Sequence, residues 1–122
     1  MNNSVHKISV DYHDKVKLTQ AVLQITAMLD MYQAELARVL GIRCGDIGNF
    51  QKSATYIVVD SDAWRQAVLL VQFYNQLYDH CNGDAVAMRH WLRRDNSELG
   101  GVPLLLIVDD QQLARVVSRL ES

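Results

Sequence analysis

Three side chains that can bind a metal ion lie close together in the sequence, namely His80, Cys81 and His90. His80 and Cys81 are neighbours, and neighbouring side chains on a helix point about 100 degrees apart. No fourth ligand follows at a spacing that is typical of a zinc site. We therefore expect no metal and no other cofactor, and we assign capping and surface roles to these residues.

Nucleophilic and acid–base catalysis find little support in the sequence. Neither cysteine has an electropositive setting or a neighbouring base that would make it a nucleophile. The paired carboxylates Asp60/Asp62 and Asp109/Asp110 stand just before predicted helices. Acidic side chains at that position accept amide hydrogen bonds and meet the positive end of the helix dipole. Capping explains them, so we expect a protein that is not an enzyme.

Residues 31–52 predict two short helices joined by a tight turn. Gly41 permits the positive φ that such a turn needs, and the small side chain of Ala37 lets the helices cross closely. The apolar residues that would fill the angle between the helices are Leu36, Leu40, Ile42, Ile47 and Phe50. The segment resembles a helix–turn–helix of the Xre (Cro/repressor-like) kind. That resemblance implies that the second helix enters a DNA major groove.

The residues that we expect to contact DNA are Gln33, Arg43, Cys44, Asp46, Asn49 and Lys52. Charge predicts weak binding by one copy, because residues 31–52 carry a net charge of only +1 and the whole chain has a formal net charge of -2. Phosphate attraction supplies most of the affinity in non-specific DNA binding. A helical hairpin without any DNA contact therefore stays open as an alternative.

A second pattern covers residues 83–120. It combines a tryptophan–leucine pair, an asparagine, a Leu-Gly-Gly turn, a proline–leucine helix start and a final valine–leucine helix. The residues concerned are Gly83-Asp84, Arg89-His90-Trp91-Leu92, Asn96, Leu99-Gly100-Gly101, Pro103-Leu104 and Val116 to Leu120. This ordered set resembles the C-terminal toxin-binding domain of Xre/MbcA/ParS-type antitoxins. Together with the helix–turn–helix, the resemblance covers residues 17–120.

The resemblance implies an all-helical, homodimeric antitoxin that neutralises a toxin with an NAD-consuming RES domain and represses its own operon. The residues expected to bind the toxin are Trp91, Arg93, Arg94, Asn96, Leu99, Gly100 and Gly101. The sequence departs from the family in two places. Asp109-Asp110-Gln111-Gln112 stands where the family usually has a glycine, and the final helix ends at Glu121-Ser122 without the glycine-containing tail that commonly follows.

The composition is that of one ordinary globular domain, with 122 residues of which 49% are hydrophobic and 21% charged. The longest wholly apolar run, residues 102–108, is far shorter than the roughly 20 residues of a membrane span. The polar N-terminus has no signal-peptide core, and the two cysteines form no CxxC pair. We expect a cytoplasmic protein without membrane contact. Its fold class is predicted to be all-α, with six or seven helices.

A loose arm is predicted for residues 1–14, with at most a short extended piece at Ile8–Val10. Apolar residues at helical spacing predict helices from about Lys15, then over 30–40, 44–51 and 62–81, from 85 onward, and over 113–120. Residues 56–59 are predicted to form an extended connector. Pro103 fits the first position of a further helix, although the Leu-Leu-Leu-Ile-Val run after it also fits a buried strand.

The predicted helix caps are Asp30 (with Gln33 reaching back), Asp60 or Ser61, Asp84, and Asp109 or Asp110. The wide apolar stripe of residues 62–81 predicts a symmetric homodimer that buries part of it. We divide the chain into residues 1–60, with the arm and the helix–turn–helix, and 61–122, with the long helix and the toxin-binding domain. Two other functions stay open, a stand-alone helix–turn–helix regulator or DNA-associated adaptor, and a small-ligand sensor built on the long helix.

Overall fold

The fold was analysed in a computed structural model that describes residues 5–121, so residues 1–4 and 122 lie outside the described part. The described residues form seven α-helices and no β-strand. The helices are α1 (Lys15–Met28), α2 (Gln33–Leu40), α3 (Cys44–Gln51), α4 (Asp62–His80), α5 (Ala85–Arg93), α6 (Pro103–Val108) and α7 (Leu113–Glu121). The predicted all-α fold is confirmed, and the run after Pro103 is a helix rather than a strand.

Helix α4 lies at the centre of the molecule and contacts α1, α2 and α7. Its buried side chains include Trp64, Phe73, Tyr74 and Leu77, and they belong to one hydrophobic core that runs through both halves of the chain. Most of the apolar stripe of residues 62–81 is therefore covered within one copy. Val68 and Tyr78 of the stripe are only partly buried, and the homodimer that would bury part of the stripe stays a prediction.

The N-terminal arm is packed against α4, so the prediction of a loose arm is wrong for residues 5–14. Ile8 is buried, and its N–H donates to Asn75 Oδ1 at 2.9 Å while Asn75 Nδ2 donates back to the Ile8 carbonyl at 2.8 Å. The Tyr74 hydroxyl donates to the His6 carbonyl at 2.7 Å. Asn75 thus satisfies the backbone of the arm as a neighbouring strand would.

Three of the predicted helix starts are confirmed. Ser61 Oγ accepts the Trp64 N–H at 3.1 Å at the start of α4. Asp84 Oδ1 accepts the Ala87 N–H at 3.1 Å at the start of α5. Pro103 occupies the first turn of α6, where its missing N–H has no partner to lose. The sequence therefore predicts correctly where both helices around the candidate toxin site begin.

The predicted start of a helix at Asp30, with Gln33 reaching back, is wrong. Asp30 adopts the left-handed conformation with φ 59 after the end of α1, and α2 begins only at Gln33. The reciprocal contact comes from Glu35, whose Oε1 accepts the Tyr32 N–H at 2.8 Å. The capping pair therefore lies two residues later than predicted, because Asp30 belongs to the turn that ends the preceding helix.

The prediction that Asp109 or Asp110 caps the last helix is also wrong. Asp109 ends α6, and its carboxylate forms an ion pair with Arg38 of α2 at 2.9 Å. Helix α7 begins at Leu113, too far along the chain for either aspartate to accept its first amides. The extended connector over residues 56–59 is confirmed, and the buried Ile57 anchors it by donating its N–H to Thr19 Oγ1 at 3.0 Å.

No helix within residues 5–121 is long and apolar enough to cross a bilayer.

Candidate functional site

The loop between α5 and α6 is organised by Asn96. Its side-chain Oδ1 accepts the N–H groups of Glu98 at 3.0 Å and Leu99 at 3.2 Å. Its backbone N–H donates to the Gly101 carbonyl at 2.9 Å, and its own carbonyl accepts the Gly100 N–H at 2.9 Å. An asparagine that bonds its own turn in this way fixes the path of the chain. The Asn96 side chain therefore stabilises the loop of the candidate site through contacts with the backbone of that loop.

The two glycines of this loop have different roles. Gly100 has φ 82, a conformation that residues with a side chain rarely adopt, whereas Gly101 has no positive φ. A Cβ on Gly101 would lie 3.4 Å from Leu106 Cδ2. Leu99 is buried at 3% exposure, and its carbonyl accepts Arg115 Nη2 at 2.6 Å. These three predicted toxin-binding residues set the shape of the loop, and the Leu99 side chain lies in the core.

Trp91 of α5 is half-buried and lies between two open cavities. Its ring centroid is 6.1 Å from that of Phe73 and 6.1 Å from that of His80, which it meets edge-on. The cavities have volumes of about 390 and 540 Å³, and both are lined by His80, Trp91, Asp95 and Asn96. We call the two cavities together the Trp91 groove. The groove offers a partner one large aromatic side chain with polar groups on either side.

Each cavity of the Trp91 groove also has lining residues that the other lacks, and several of these are charged. Glu98, Arg119 and Leu120 line the first cavity, and Cys81, His90 and Arg94 line the second. Arg119 Nη2 donates to the Glu98 carbonyl at 2.9 Å. Sequence reasoning missed His80, Arg119 and Leu120, because only the packing of α4 and α7 brings them beside Trp91, and it also missed Glu98 of the loop itself.

The groove shows no arrangement for chemistry. Burial raises the pKa of the Cys81 thiol, and the nearby negative charge of Asp84 raises it further. The thiol therefore stays protonated near neutral pH, whereas the thiolate is the nucleophile and the metal ligand. Among residues 5–121, no three histidine, cysteine or acidic side chains converge as they would around a metal ion. The described part of the groove thus holds neither an activated thiol nor a cluster of metal ligands.

The other side of α5 holds the end of α1. Arg89 Nε donates to the Met28 carbonyl at 2.9 Å. Arg93 Nη2 donates to the carbonyls of Leu29 at 2.9 Å and Asp30 at 2.6 Å. The last carbonyls of a helix have no partners within the helix, and cations there also oppose the negative end of its dipole. Arg93, which we predicted to bind the toxin, thus ties α5 to α1.

An open cleft of about 440 Å³ lies beside these contacts, and its lining residues are Asp30, Arg89, His90, Arg93 and Arg94. We call it the arginine cleft. The Arg94 side chain is exposed and makes no hydrogen bond or ion pair with the described residues. It lines both the arginine cleft and the Trp91 groove.

The residues predicted to contact DNA lie on α2, on α3 or, for Arg43 and Lys52, at the two ends of α3, and the turn at Gly41 (φ 72) joins the two helices as predicted. Gln33 Nε2 donates to Gln51 Oε1 at 3.0 Å across the two helices. Asp46 Oδ2 accepts the Arg43 N–H at 3.2 Å, so this acid caps α3. The predicted residues that are exposed are Gln33, Arg43, Cys44, Asn49 and Lys52.

The outward face of α3 is small and carries little charge. A Cβ built on Gly45 or Gly48 would meet no heavy atom within 4 Å, so this face is open. Its basic side chains are Arg43 and Lys52, while Arg38 of α2 is paired with Asp109 at 2.9 Å. The face can enter a groove sterically, but it offers few donors for phosphates or base edges.

A larger cavity, of about 820 Å³, lies between the α2–α3 turn, the connector and the start of α4. Its lining residues include Ile42, Phe50, Tyr56, Leu69 and Val58, the last of which is 70% exposed. Its lining includes Ala63 and Leu69 of α4, the helix on which a small-ligand sensor would be built. Asp46 is the one predicted site residue in its lining.

The family comparison assigns the C-terminal part of the chain. Residues 76–122 match the family model of the antitoxin Xre/MbcA/ParS C-terminal toxin-binding domain. The matched residues contain the end of α4, the whole of α5, α6 and α7, and every residue that lines the Trp91 groove. The predicted resemblance is confirmed for this part, and a toxin-binding domain implies a toxin as partner. No curated protein sequence matches the chain.

Proposed function

We propose that the protein is the antitoxin of a type II toxin–antitoxin pair and that it binds its toxin through the Trp91 groove. The observation that carries the proposal is the coincidence of two findings. The family match covers residues 76–122, and all residues that line the groove fall within it. Trp91 and Arg94 are of the residue types that contribute most energy to protein interfaces.

The mechanism that we propose is steric. The expected toxin has an RES domain that consumes NAD, and the groove together with the Asn96 loop would cover its active cleft. Inhibition of this kind needs a rigid surface and no reacting group. Gly100, Leu99 and the Asn96 side chain supply that rigidity, because they hold the loop in one conformation. A pre-organised loop loses little entropy when it binds.

The proposal includes autorepression by the helix–turn–helix. Arg43, Cys44, Asn49 and Lys52 would face the major groove, with Gln33 beside a phosphate at the start of α2. Asp46 would serve as the cap of α3. One copy would bind weakly because the face carries so few cations, and a homodimer or a toxin complex would bind more tightly. The division at residue 60, with DNA on the N-terminal side and the toxin on the C-terminal side, belongs to this proposal.

Co-expression with a neighbouring RES-domain toxin tests the toxin-binding part. Wild-type protein should form a stable complex, restore growth and preserve the cellular NAD level. Trp91→Ala should reduce the affinity at least tenfold, which corresponds to about 1.4 kcal/mol, because it removes the central aromatic side chain of the groove. Far-UV circular dichroism should show that Trp91→Ala remains helical.

Tyr32→Ala is the matched control, since this aromatic side chain is 76% exposed and lies outside residues 76–122. It should bind the toxin as wild type does. If no RES-domain toxin binds the wild-type protein, the antitoxin proposal is wrong. A stand-alone transcriptional regulator, which the open outward face of α3 favours, would then be the better function if the protein still binds its own promoter.

A further inference from the structure

The arginine cleft borders the helix–turn–helix. Asp30, whose carbonyl accepts Arg93 at 2.6 Å, precedes Gln33, the first residue of α2, by three positions. Three residues of extended chain span at most about 11 Å. The cleft, although built largely from α5, therefore lies close to the N-terminal end of the first helix of the helix–turn–helix.

The guanidinium groups of the cleft keep donors available. An arginine has five N–H donors. Arg89 uses its Nε towards Met28, and both Nη groups remain. Arg94 uses none within the described residues. Forks of this kind bind phosphate and carboxylate oxygens in pairs, and those of Arg89 and Arg93 are fixed to the end of α1.

The helix–turn–helix lacks the charge that the cleft supplies. Its first helix would cross the DNA backbone, where phosphate contacts fix the register of the protein. Arg43 and Lys52 are the cations on its outward side that have no ion-pair partner in the described part of the chain, and Arg38 is paired with Asp109. The cleft places three arginines beyond the start of the same helix, with Asp30 as the one acid in its lining.

We propose that the arginine cleft is a phosphate-binding site and that its occupant is the backbone of the duplex DNA on which the helix–turn–helix lies. This inference rests on the DNA-binding part of the proposed function. DNA is favoured over an acidic protein because Arg93 binds Leu29 and Asp30, in the short segment that joins α1 to α2, and Arg89 binds Met28 at the end of α1. The cleft is thereby held to the helix–turn–helix and continues its surface along the phosphates.

Salt-dependent binding to duplex DNA tests the site. Fluorescence anisotropy of the full chain is measured with its own promoter fragment and with a scrambled duplex of equal length, over a series of salt concentrations. Arg94→Ala should weaken binding to both duplexes equally, by about five- to tenfold at 0.1 M salt, and reduce the slope of log K against log salt by about 0.9. Arg94→Lys should retain the slope.

Arg119→Ala is the matched control, because it removes the same charge from the Trp91 groove but not from the arginine cleft. It should leave the slope unchanged. Asn49→Ala, on α3, should weaken binding to the promoter more than to the scrambled duplex, since amide side chains read base edges. This contrast separates the phosphate site from the reading helix.

Several outcomes would overturn the proposal. An unchanged slope in Arg94→Ala, with Asn49→Ala still selective, rejects the cleft and keeps the helix–turn–helix. If Arg94→Ala weakens toxin capture but not DNA binding, the cleft is a surface for an acidic protein. If the wild-type protein binds neither duplex, the DNA-binding part of the proposed function falls as well, while the toxin-binding part is decided separately by Trp91→Ala.

Discussion

Helices α3 and α5 are both short and both present an exposed face, yet the two faces are built differently. On α3 the outward positions hold Gly45, Gly48 and a few polar side chains that contact little else in the chain. On α5 the outward positions hold Trp91 and arginines that also secure neighbouring elements. The comparison teaches that exposure alone does not mark a binding residue. On α5, some atoms of each of these side chains contact neighbouring elements of the fold, and the other atoms remain available to a partner.

The sharpest separation between folding and binding lies at the end of α5, between the adjacent residues Arg93 and Arg94. Arg93→Ala removes hydrogen bonds to the carbonyls of Leu29, Asp30 and Arg89. Bonds from a charged donor contribute about 1.5–3 kcal/mol, and solvent reduces that value at a partly exposed site. We expect Arg93→Ala to lower the free energy of unfolding by about 2 kcal/mol, measured by urea denaturation.

Arg94→Ala is the control for this experiment, because Arg94 makes no contact of that kind in the described part of the chain. Its free energy of unfolding should stay within about 0.5 kcal/mol of wild type. Equal destabilisation by the two variants would show that the carbonyl contacts of Arg93 contribute little. The assignment of Arg93 as a link between α5 and α1 would then be wrong.

Glycine substitutions should have opposite effects in the two regions. Gly100→Ala places a Cβ at φ 82 and should destabilise the protein by about 1 kcal/mol, since the left-handed conformation is unfavourable for alanine. Gly48→Ala lies inside α3, where a Cβ meets nothing within 4 Å, and should stabilise it by up to about 1 kcal/mol. Thermal melting of both variants measures the difference. Shifts of the same sign would contradict this account of the loop.

Features that depend on neighbouring residues could be predicted from the sequence. The bounds of α3, the αL turn at Gly41 and the caps at Ser61 and Asp84 follow from local preferences, and the structure confirms them. The loop between α5 and α6 was also placed correctly. The role of Asn96 within it depends on backbone contacts three to five residues away, which the Leu-Gly-Gly pattern does not specify.

Features that depend on distant residues could not be predicted. The contacts of Arg89 and Arg93 with α1 join residues more than sixty positions apart. The packing of Ile8 against Asn75 and the ion pair between Arg38 and Asp109 are of the same kind. No local pattern marks these contacts. In the sequence, an arginine that is merely exposed looks the same as one that binds a distant carbonyl, and an aspartate that caps a helix looks the same as one that pairs with a distant arginine. The arginine cleft was missed for this reason.

The alkylation rates of the two cysteines compare the exposure of α3 with that of the Trp91 groove. Cys44 is exposed on α3, whereas Cys81 is half-buried at the edge of the Trp91 groove and burial raises its pKa. Iodoacetamide at pH 8 should modify Cys44 several-fold faster, because alkylation requires an accessible thiolate. Mass spectrometry of the timed reaction gives both rates. Faster modification of Cys81 would show that the groove is more open than its geometry indicates.

The smallest effect that we predict concerns the end of α1, where Tyr74 contacts the side chain of Met28. Its hydroxyl lies 3.2 Å from Met28 Sδ and donates to the His6 carbonyl at 2.7 Å. Burial raises the pKa of the Tyr74 hydroxyl, because it removes water from around the charged form. A group whose folded pKa is raised contributes stability below its unfolded pKa, and that contribution is lost as the pH rises through the folded pKa.

Unfolding of the wild-type protein should therefore become easier above the ordinary tyrosine pKa. The free energy of unfolding that is lost between pH 8 and pH 11 should be smaller in Tyr74→Phe than in wild type. Identical pH profiles for the two proteins, measured by urea denaturation, would mean that Tyr74 ionises as freely in the folded chain as in the unfolded one.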